Sequence, residues 1–130
     1  MIFVDTNVFM YAVGRPHPLR DTARGFFTDC TRNRTPLCTS AEVLQELLHA
    51  YLPVARLQTL NAALSLIARF RVDVWPLEEA DVILACQLCE QHPTLDARDL
   101  CHLASCRRRG LSEVRTFDQA LGAVIGGSAG

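Results

Sequence analysis

The chain has 130 residues, a formal net charge of −1, and is 49% hydrophobic and 21% charged. These values exclude an intrinsically disordered chain, and the length favours one domain. All 13 basic side chains are arginines, and the absence of lysine excludes P-loop nucleotide hydrolases and Schiff-base enzymes. A charge so close to zero provides no general attraction to nucleic acid or membrane.

Short apolar segments alternate with helical patterns along the chain. Strands are expected at residues 2–5, 37–39, 72–75 and 114–117. Helices are expected at residues 6–13, 17–30, 40–52, 54–70, 78–91 and 96–108, with a last helical turn from Asp118. Thr39 and Glu42 have the spacing of a capping box, which would start the third helix at Thr39.

Strands that alternate with helices predict a three-layer α/β/α fold with a central parallel sheet. We expect one domain over residues 1–125 and a flexible, glycine-rich tail at 126–130. The two helices between 40 and 70 exceed what one crossover needs. We expect this pair to pack outside the sheet, as a clamp or a dimer surface.

Acidic residues occur where the predicted strands end or where the next helices begin. The four candidates are Asp5, Glu46, Asp99 and Asp118. Ligands of open α/β sheets bind at the carboxyl edge of the strands, so these side chains are expected to converge. Carboxylates suit Mg²⁺ or Mn²⁺, which would offset their repulsion. Thr6, Asn7 and Thr116 are expected to support the carboxylates or a metal-bound water.

Each acidic position also has a local interpretation. Glu42 competes with Glu46, but the capping box accounts for Glu42. Asp96 competes with Asp99, and Asp96 is the better helix N-cap. Asp5 and Asp118 could each cap the helix that follows, and this alternative is strongest for Asp118.

The six cysteines include a Cys86-x-x-Cys89 pair, which invites a zinc or redox interpretation. The pair lies within a helical apolar pattern, where cysteine packs as a small hydrophobic residue, and we favour that assignment. No secretory leader is recognised, so free thiols and a cytoplasmic location are expected. His102 is assigned to its helix and not to the acidic site.

Four motifs in order resemble the PIN domain family. They are Asp5-Thr6-Asn7 after an apolar strand, Ser40-x5-Glu46, Asp99-x-x-His102-Leu103-Ala104, and Thr116-Phe117-Asp118. They span residues 2–118, and the short chain is similar to the VapC-type toxins of toxin–antitoxin pairs. The family's acidic positions fall on Asp5, Glu46, Asp99 and Asp118.

This resemblance implies a Mg²⁺- or Mn²⁺-dependent endoribonuclease that hydrolyses tRNA or rRNA with metal-activated water. It also implies a homodimer and inhibition by a VapB-type antitoxin. Two alternatives stay open: a non-catalytic PIN-like module that binds RNA or protein, and a structure-specific DNA nuclease.

Arg107, Arg108 and Arg109 form the densest basic run. Guanidinium groups pair well with phosphate, so this run is a candidate RNA contact. Cations at the end of a helix also interact favourably with its dipole, so a purely structural role stays open.

Overall fold

The computed structural model describes residues 1–125, which form four strands and seven helices. The strands are β1 (Ile2–Val4), β2 (Leu37–Ser40), β3 (Asp73–Trp75) and β4 (Val114–Arg115). The helices are α1 (Thr6–Val13), α2 (Pro18–Asn33), α3 (Ala41–Tyr51), α4 (Leu57–Arg69), α5 (Glu79–Leu88), α6 (Ala97–Arg108) and α7 (Gln119–Ile125). The flexible tail expected at 126–130 lies outside the described residues.

All strands are parallel, in the spatial order β3-β2-β1-β4. Phe3 in β1 pairs with Cys38 on one side and with Val114 on the other. The chain leaves β1 towards β2 and β3, and later returns to the opposite side of β1 to form β4. The strand order therefore reverses between β1 and β4, and their carboxyl ends form the crevice in which such sheets bind ligands.

The helices separate into two groups that cover the sheet. Helices α1 to α4 pack with one another, and α5, α6 and α7 form a second packed series. Right-handed crossovers place α1–α4 on one face and α5 and α6 on the other, so the predicted three-layer α/β/α class is confirmed. None of the helices in residues 1–125 has the length and apolar character that a bilayer crossing requires.

The core is built from aromatic and branched side chains on both faces of β1. Phe3, Phe9 and Phe27 are fully buried, as are Leu47 and Leu103. The rings of Phe9 and Phe27 lie 5.6 Å apart between α1 and α2. Burying a side chain of this size stabilises the fold by about 1.5–3 kcal/mol, so these residues hold the helices in place around the site.

The predicted start of α3 is wrong by one residue. Thr39 belongs to β2, and its hydroxyl donates to the Val4 carbonyl of the neighbouring strand, at 2.8 Å. Ser40 is the N-cap and accepts from the Val43 amide. The capping box of Thr39 and Glu42 therefore does not form, because the adjacent strand takes the Thr39 hydroxyl.

Two helix predictions are corrected in their extent or their buried face. Helix α4 starts at Leu57 and not at 54, because Ala55 takes a left-handed conformation that interrupts the chain before it. Helix α5 buries Ala85 and Leu88, so Cys86 and Cys89 face outward and are exposed. The expectation that these two cysteines pack as buried hydrophobic residues is wrong.

Asp81 joins the two helices of the second layer and is fully buried. Arg108 Nη1 donates to its Oδ1 at 2.7 Å, and Arg109 Nη1 donates to the same oxygen at 3.2 Å. The Glu78 amide donates to Oδ2 at 2.8 Å. Burial alone would raise the pKa of Asp81, but these donors and charges lower it below its ordinary value.

We predict that Asp81→Asn lowers the free energy of unfolding by about 2–3 kcal/mol, because hydrogen bonds to a charged group are lost. Since the folded-state pKa is lowered, the carboxylate stabilises the fold above its ordinary pKa of 3.8, and this contribution is lost as pH falls further. Urea unfolding at pH 7 measures the effect. Asp29→Asn, which removes an exposed ion pair with Arg32, is the control and should change stability by less than about 0.5 kcal/mol.

Candidate active site

Asp5 is the first residue after β1 and is 5% exposed. It is the N-cap of α1, where its Oδ1 accepts from the Thr6 amide at 2.7 Å. Its Oδ2 accepts from the Thr116 hydroxyl, also at 2.7 Å. Both oxygens are therefore held, one by the helix that follows β1 and one by the segment that follows β4.

Glu46 reaches the same place from α3. Its Oε2 accepts from the Thr6 hydroxyl at 2.6 Å, and its Oε1 lies 2.7 Å from His102 Nε2. His102 is on α6, is 1% exposed, and lies 3.9 Å from Asp5 Oδ1. Helices α1 and α3 of the first layer thus supply Thr6 and Glu46, and α6 of the second layer supplies His102, all at the carboxyl end of β1.

The Thr116 hydroxyl connects β4 to this cluster. It donates to Asp5, and it accepts from the Asp118 amide at 2.9 Å and from Asn7 Nδ2 at 3.3 Å. Asn7 Oδ1 in turn accepts from the Phe117 amide at 3.1 Å. One donor and two acceptor positions are what a hydroxyl offers, so Thr116 is fully used and the loop after β4 is fixed.

Asp99 and Asp118 lie at helix starts beside this cluster. The Asp99 amide donates to Asp96 Oδ1 at 2.8 Å, which makes Asp96 the N-cap of α6 and leaves the Asp99 carboxylate without a capping role. Asp118 Oδ1 accepts from the Ala120 and Leu121 amides, at 2.9 and 3.3 Å, so Asp118 caps α7.

Charge in the site is only partly balanced. Burial raises the pKa of Asp5, and the opposing effects of His102, Thr116 and Thr6 do not cancel that rise. Burial, together with the charges of Asp96, Asp118 and Asp5, raises the pKa of Asp99 to about 6. The site therefore holds more negative charge than its own residues compensate.

His102 and Glu46 form the one tightly paired part of the site. Burial acts to raise the pKa of Glu46, but the hydrogen bond and charge of His102 lower it. Burial opposes protonation of His102, but Glu46, Asp5 and Asp99 raise its pKa. The two side chains hold each other in their charged forms. His102 Nδ1 is buried and has no hydrogen-bond partner within residues 1–125.

Potential ligand atoms of Asp5, Glu46 and His102 all lie within 4.8 Å of one another. Two carboxylates that keep free lone pairs, with the surplus negative charge of Asp99 beside them, fit a divalent cation of the oxygen-preferring kind. An imidazole nitrogen is compatible with Mn²⁺ as well as with softer metals. The residues present therefore suit a metal-dependent reaction on an anionic substrate.

The structure brings together only two of the four predicted carboxylates within residues 1–125. Ligand atoms of Asp5 and Glu46 lie within 4.8 Å of each other, whereas Asp99 and Asp118 lie outside this set and interact with it through charge. His102 was assigned to its helix alone, yet it contacts Glu46. The three-residue spacing from Asp99 to His102 could have indicated this, because such residues share one helix face.

Arg108 and Arg109 are engaged away from the site. Both pair with Asp81 and with Glu78, and the Arg109 guanidinium lies 4.6 Å from the centre of the Trp75 ring. They follow Asp99 by about nine residues, or roughly 14 Å along α6. The RNA contact expected at Arg107, Arg108 and Arg109 stays a prediction, while the structure gives two of the three a structural partner.

Comparison with known proteins agrees with this geometry. The model of the PIN domain family matches residues 2–126, and the chain belongs to that family. It is 55% identical to Ribonuclease VapC23 of Mycobacterium tuberculosis over 125 residues, which cover 96% of this chain and 98% of that protein. It is 32% identical to Ribonuclease VapC13 of the same species, over 97% of this chain and 96% of that protein. Within the PIN family, the chain is therefore a VapC toxin, and the expected toxin endoribonuclease is confirmed.

Solved structures show the same fold at low identity. The crystal structure of M. tuberculosis VapC20, described as a sarcin–ricin loop cleaving toxin, aligns with a TM-score of 0.71 at 22% identity, over 95% of this chain and 94% of that one. VapBC2 from Rickettsia felis, solved with a DNA fragment from its promoter, aligns with a TM-score of 0.67 at 18% identity, over 95% and 93% of the two chains.

We predict that Asp99→Asn stabilises the metal-free protein at pH 7 by on the order of 1 kcal/mol, a value discounted because solvent reaches the side chain. The folded-state pKa of about 6 lies above the ordinary 3.8, so the ionised carboxylate costs stability as pH rises between these values. Urea unfolding in EDTA should show the gain at pH 7 and its decline towards pH 4. An Asp99→Asn protein that is less stable than wild type at pH 7 would contradict this charge balance.

Proposed function

We propose that this VapC ribonuclease hydrolyses tRNA or rRNA with one or two Mg²⁺ or Mn²⁺ ions held by Asp5, Glu46, Asp99 and Asp118. The observation that carries the proposal is the approach of Asp5 and Glu46, whose ligand atoms lie within 4.8 Å of each other at the switch point of the sheet. Burial and the negative charge of neighbouring carboxylates raise the pKa of the adjacent Asp99. His102 is added as a residue that positions Glu46 and that lies within reach of the same centre.

Each residue has a role that its contacts support. Asp5 is kept in one orientation by the Thr6 amide and the Thr116 hydroxyl, so its remaining lone pairs point into the crevice from a fixed position. Glu46 is kept in place by Thr6 and His102. Pre-organised ligands of this kind do not have to reorient during the reaction, which is how such sites lower a barrier.

A divalent cation in this site supplies positive charge for a phosphodiester and lowers the pKa of water. The protein's own residues then need not provide a nucleophile. Asp99 and Asp118 add negative charge at the edge of the cluster. This charge attracts a cation, and it repels an anionic substrate as long as no cation is bound. Asp118 keeps its capping bonds to α7 in this role, because the Oδ2 atom is not used by them.

We also propose that a VapB-type antitoxin inhibits the protein, that the protein forms a homodimer, and that it acts in the cytoplasm. Membership of the VapC ribonucleases supports the antitoxin partner and the RNA substrate. The exposed apolar residues at the end of α3 and the start of α4, Leu52, Val54 and Leu57, offer a surface for association.

We predict that Glu46→Gln lowers metal-dependent RNA cleavage by roughly 100-fold or more, because charge stabilisation by a bound cation contributes several kcal/mol. Glu42→Gln, one turn earlier on the same helix, is the matched control and should retain near wild-type activity. Cleavage of tRNA and rRNA is followed with Mg²⁺, with Mn²⁺ and with EDTA, and a DNA strand of the same sequence tests the nucleic-acid class. Equal activity of both variants would remove Glu46 from the site.

We predict that Thr6→Val raises the Mn²⁺ concentration needed for half-maximal cleavage by roughly 10- to 100-fold, the usual effect of losing a group that orients a ligand. The maximal rate should recover at saturating Mn²⁺, because every proposed ligand remains. Thr28→Val removes an exposed hydroxyl bonded to its own helix and serves as the control. A lower maximal rate with an unchanged Mn²⁺ requirement would show that Thr6 does not act through Glu46.

A further inference from the structure

A pocket of about 410 Å³ lies next to the acidic cluster, between the end of α1, the connection to α2, and the end of α3. Its walls include three rings, Tyr11, His17 and Tyr51, and two arginines, Arg15 and Arg56. Pockets that bind small organic groups measure about 300–1,000 Å³, so the volume suits one ring system with part of its chain. We call this cavity the base pocket.

The base pocket is linked to the acidic cluster through Asn7. Asn7 lines the pocket and also bonds to Thr116, which bonds to Asp5. Helix α1 rises about 6 Å from Asn7 to Tyr11, and α3 rises about 7.5 Å from Glu46 to Tyr51. The rings of the pocket therefore lie roughly 6–8 Å beyond Asn7 and Glu46 along these two helices, which is a short step along an RNA strand whose phosphate sits at the acids.

The aromatic residues of the base pocket differ in exposure, since Tyr11 is half-buried and Tyr51 is buried. The Tyr11 ring lies 4.9 Å from the His17 ring and 5.3 Å from the Phe117 ring, so its position is fixed from two sides. Tyr51 is 4% exposed and also lines the pocket. Rigid aromatic faces with a few free polar atoms are what single-stranded RNA binders use to stack and read bases.

The charge of the base pocket is opposite to that of the acidic cluster. No aspartate or glutamate lines it, and neither Arg15 nor Arg56 forms an ion pair within residues 1–125. The Arg56 guanidinium lies 5.7 Å from the centre of the Tyr51 ring, where it could also stack on a base. Unpaired guanidinium groups beside ring faces fit a nucleotide, whose phosphate is anionic and whose base is flat.

We propose that the base pocket binds an unpaired base of the RNA substrate, one or two nucleotides from the phosphodiester that is cut, and thereby selects the cleavage site. This inference rests on the proposed function, because it names where the substrate strand lies beyond the acids. A segment of the antitoxin is the competing occupant. The RNA base is favoured since the pocket is linked to the acidic cluster and combines stacking rings with unpaired arginines.

Binding of RNA in EDTA tests the base pocket without requiring cleavage. The probes are a short single-stranded RNA of mixed sequence and a strand of equal length that lacks bases. We expect Tyr11→Leu to weaken binding of the first probe by roughly 5- to 150-fold, the equivalent of one stacked base. Tyr11→Phe keeps the ring and should bind as wild type. Binding of the strand without bases should be equally weak for all three proteins.

Arginine variants test the charge of the same pocket. Arg56→Gln should weaken binding of the mixed RNA, whereas Arg71→Gln, an equal charge change at an exposed position beyond α4, should not. Thermal unfolding of each variant checks that the fold is kept. If Tyr11→Leu and Arg56→Gln are folded and bind the mixed RNA like wild type, the proposal that this pocket binds an RNA base is wrong. Loss of binding to a VapB antitoxin peptide with unchanged RNA binding would overturn it too.

Cleavage of the mixed RNA separates this inference from the proposed function. Sequenced products of Tyr11→Leu should show a weaker nucleotide preference beside the cut than products of the wild type or of Tyr11→Phe. If RNA binding depends on the Tyr11 ring but no cleavage is seen with any metal, the base-pocket proposal is supported and the proposed metal-dependent cleavage is contradicted. Metal-dependent cleavage with the same preference in Tyr11→Leu would keep the nuclease and reject the base pocket.

Discussion

The Asp5 carboxylate is the group on which the site depends. A buried carboxylate must have hydrogen-bond donors, because an unsatisfied charge away from water destabilises the fold. Its donors come from α1 and from the segment after β4. The need to satisfy one side chain therefore fixes the start of α1 and the path of residues 116–118 on the two sides of the crevice between β1 and β4.

The same constraint explains why the neighbouring acids are arranged unequally. Glu46 has a basic partner in His102, so its pKa falls. Asp99 is partly buried and faces other carboxylates, so its pKa rises to about 6. In a site without cations, one acid is compensated and another is not. A divalent cation would offset that difference, so the charge balance as well as the ligand type favours the proposed metal site.

The fold was predictable from the sequence because its signals are local. Apolar segments ending in polar residues gave the four strands, and Asp96 and Gly110 marked the ends of α6. The start of α3 was not predictable, since both Thr39 and Ser40 are good caps and only the pairing of β2 with β1 decides which hydroxyl is free. Within the site, Asp5 could be named from its position after β1, whereas Glu46 rested on the resemblance to the PIN family, because the capping box that set Glu42 aside does not form. The contact of His102 with Glu46 needs the packing of α6 against the first layer.

A net charge of −1 means that RNA affinity has to come from the placement of cations and not from their number. Two of the three arginines at the end of α6 hold α5 and α6 together through Asp81, so their charge is already compensated. Arg15 and Arg56 line a cavity without acids, together with aromatic rings, and have no ion-pair partner within residues 1–125. Asp5 immediately precedes α1, which carries Tyr11, and α3 carries Glu46 followed by Tyr51, so acid and ring have the same order along both helices. The proposed metal site and the proposed base pocket are thereby held at a fixed distance by two packed helices.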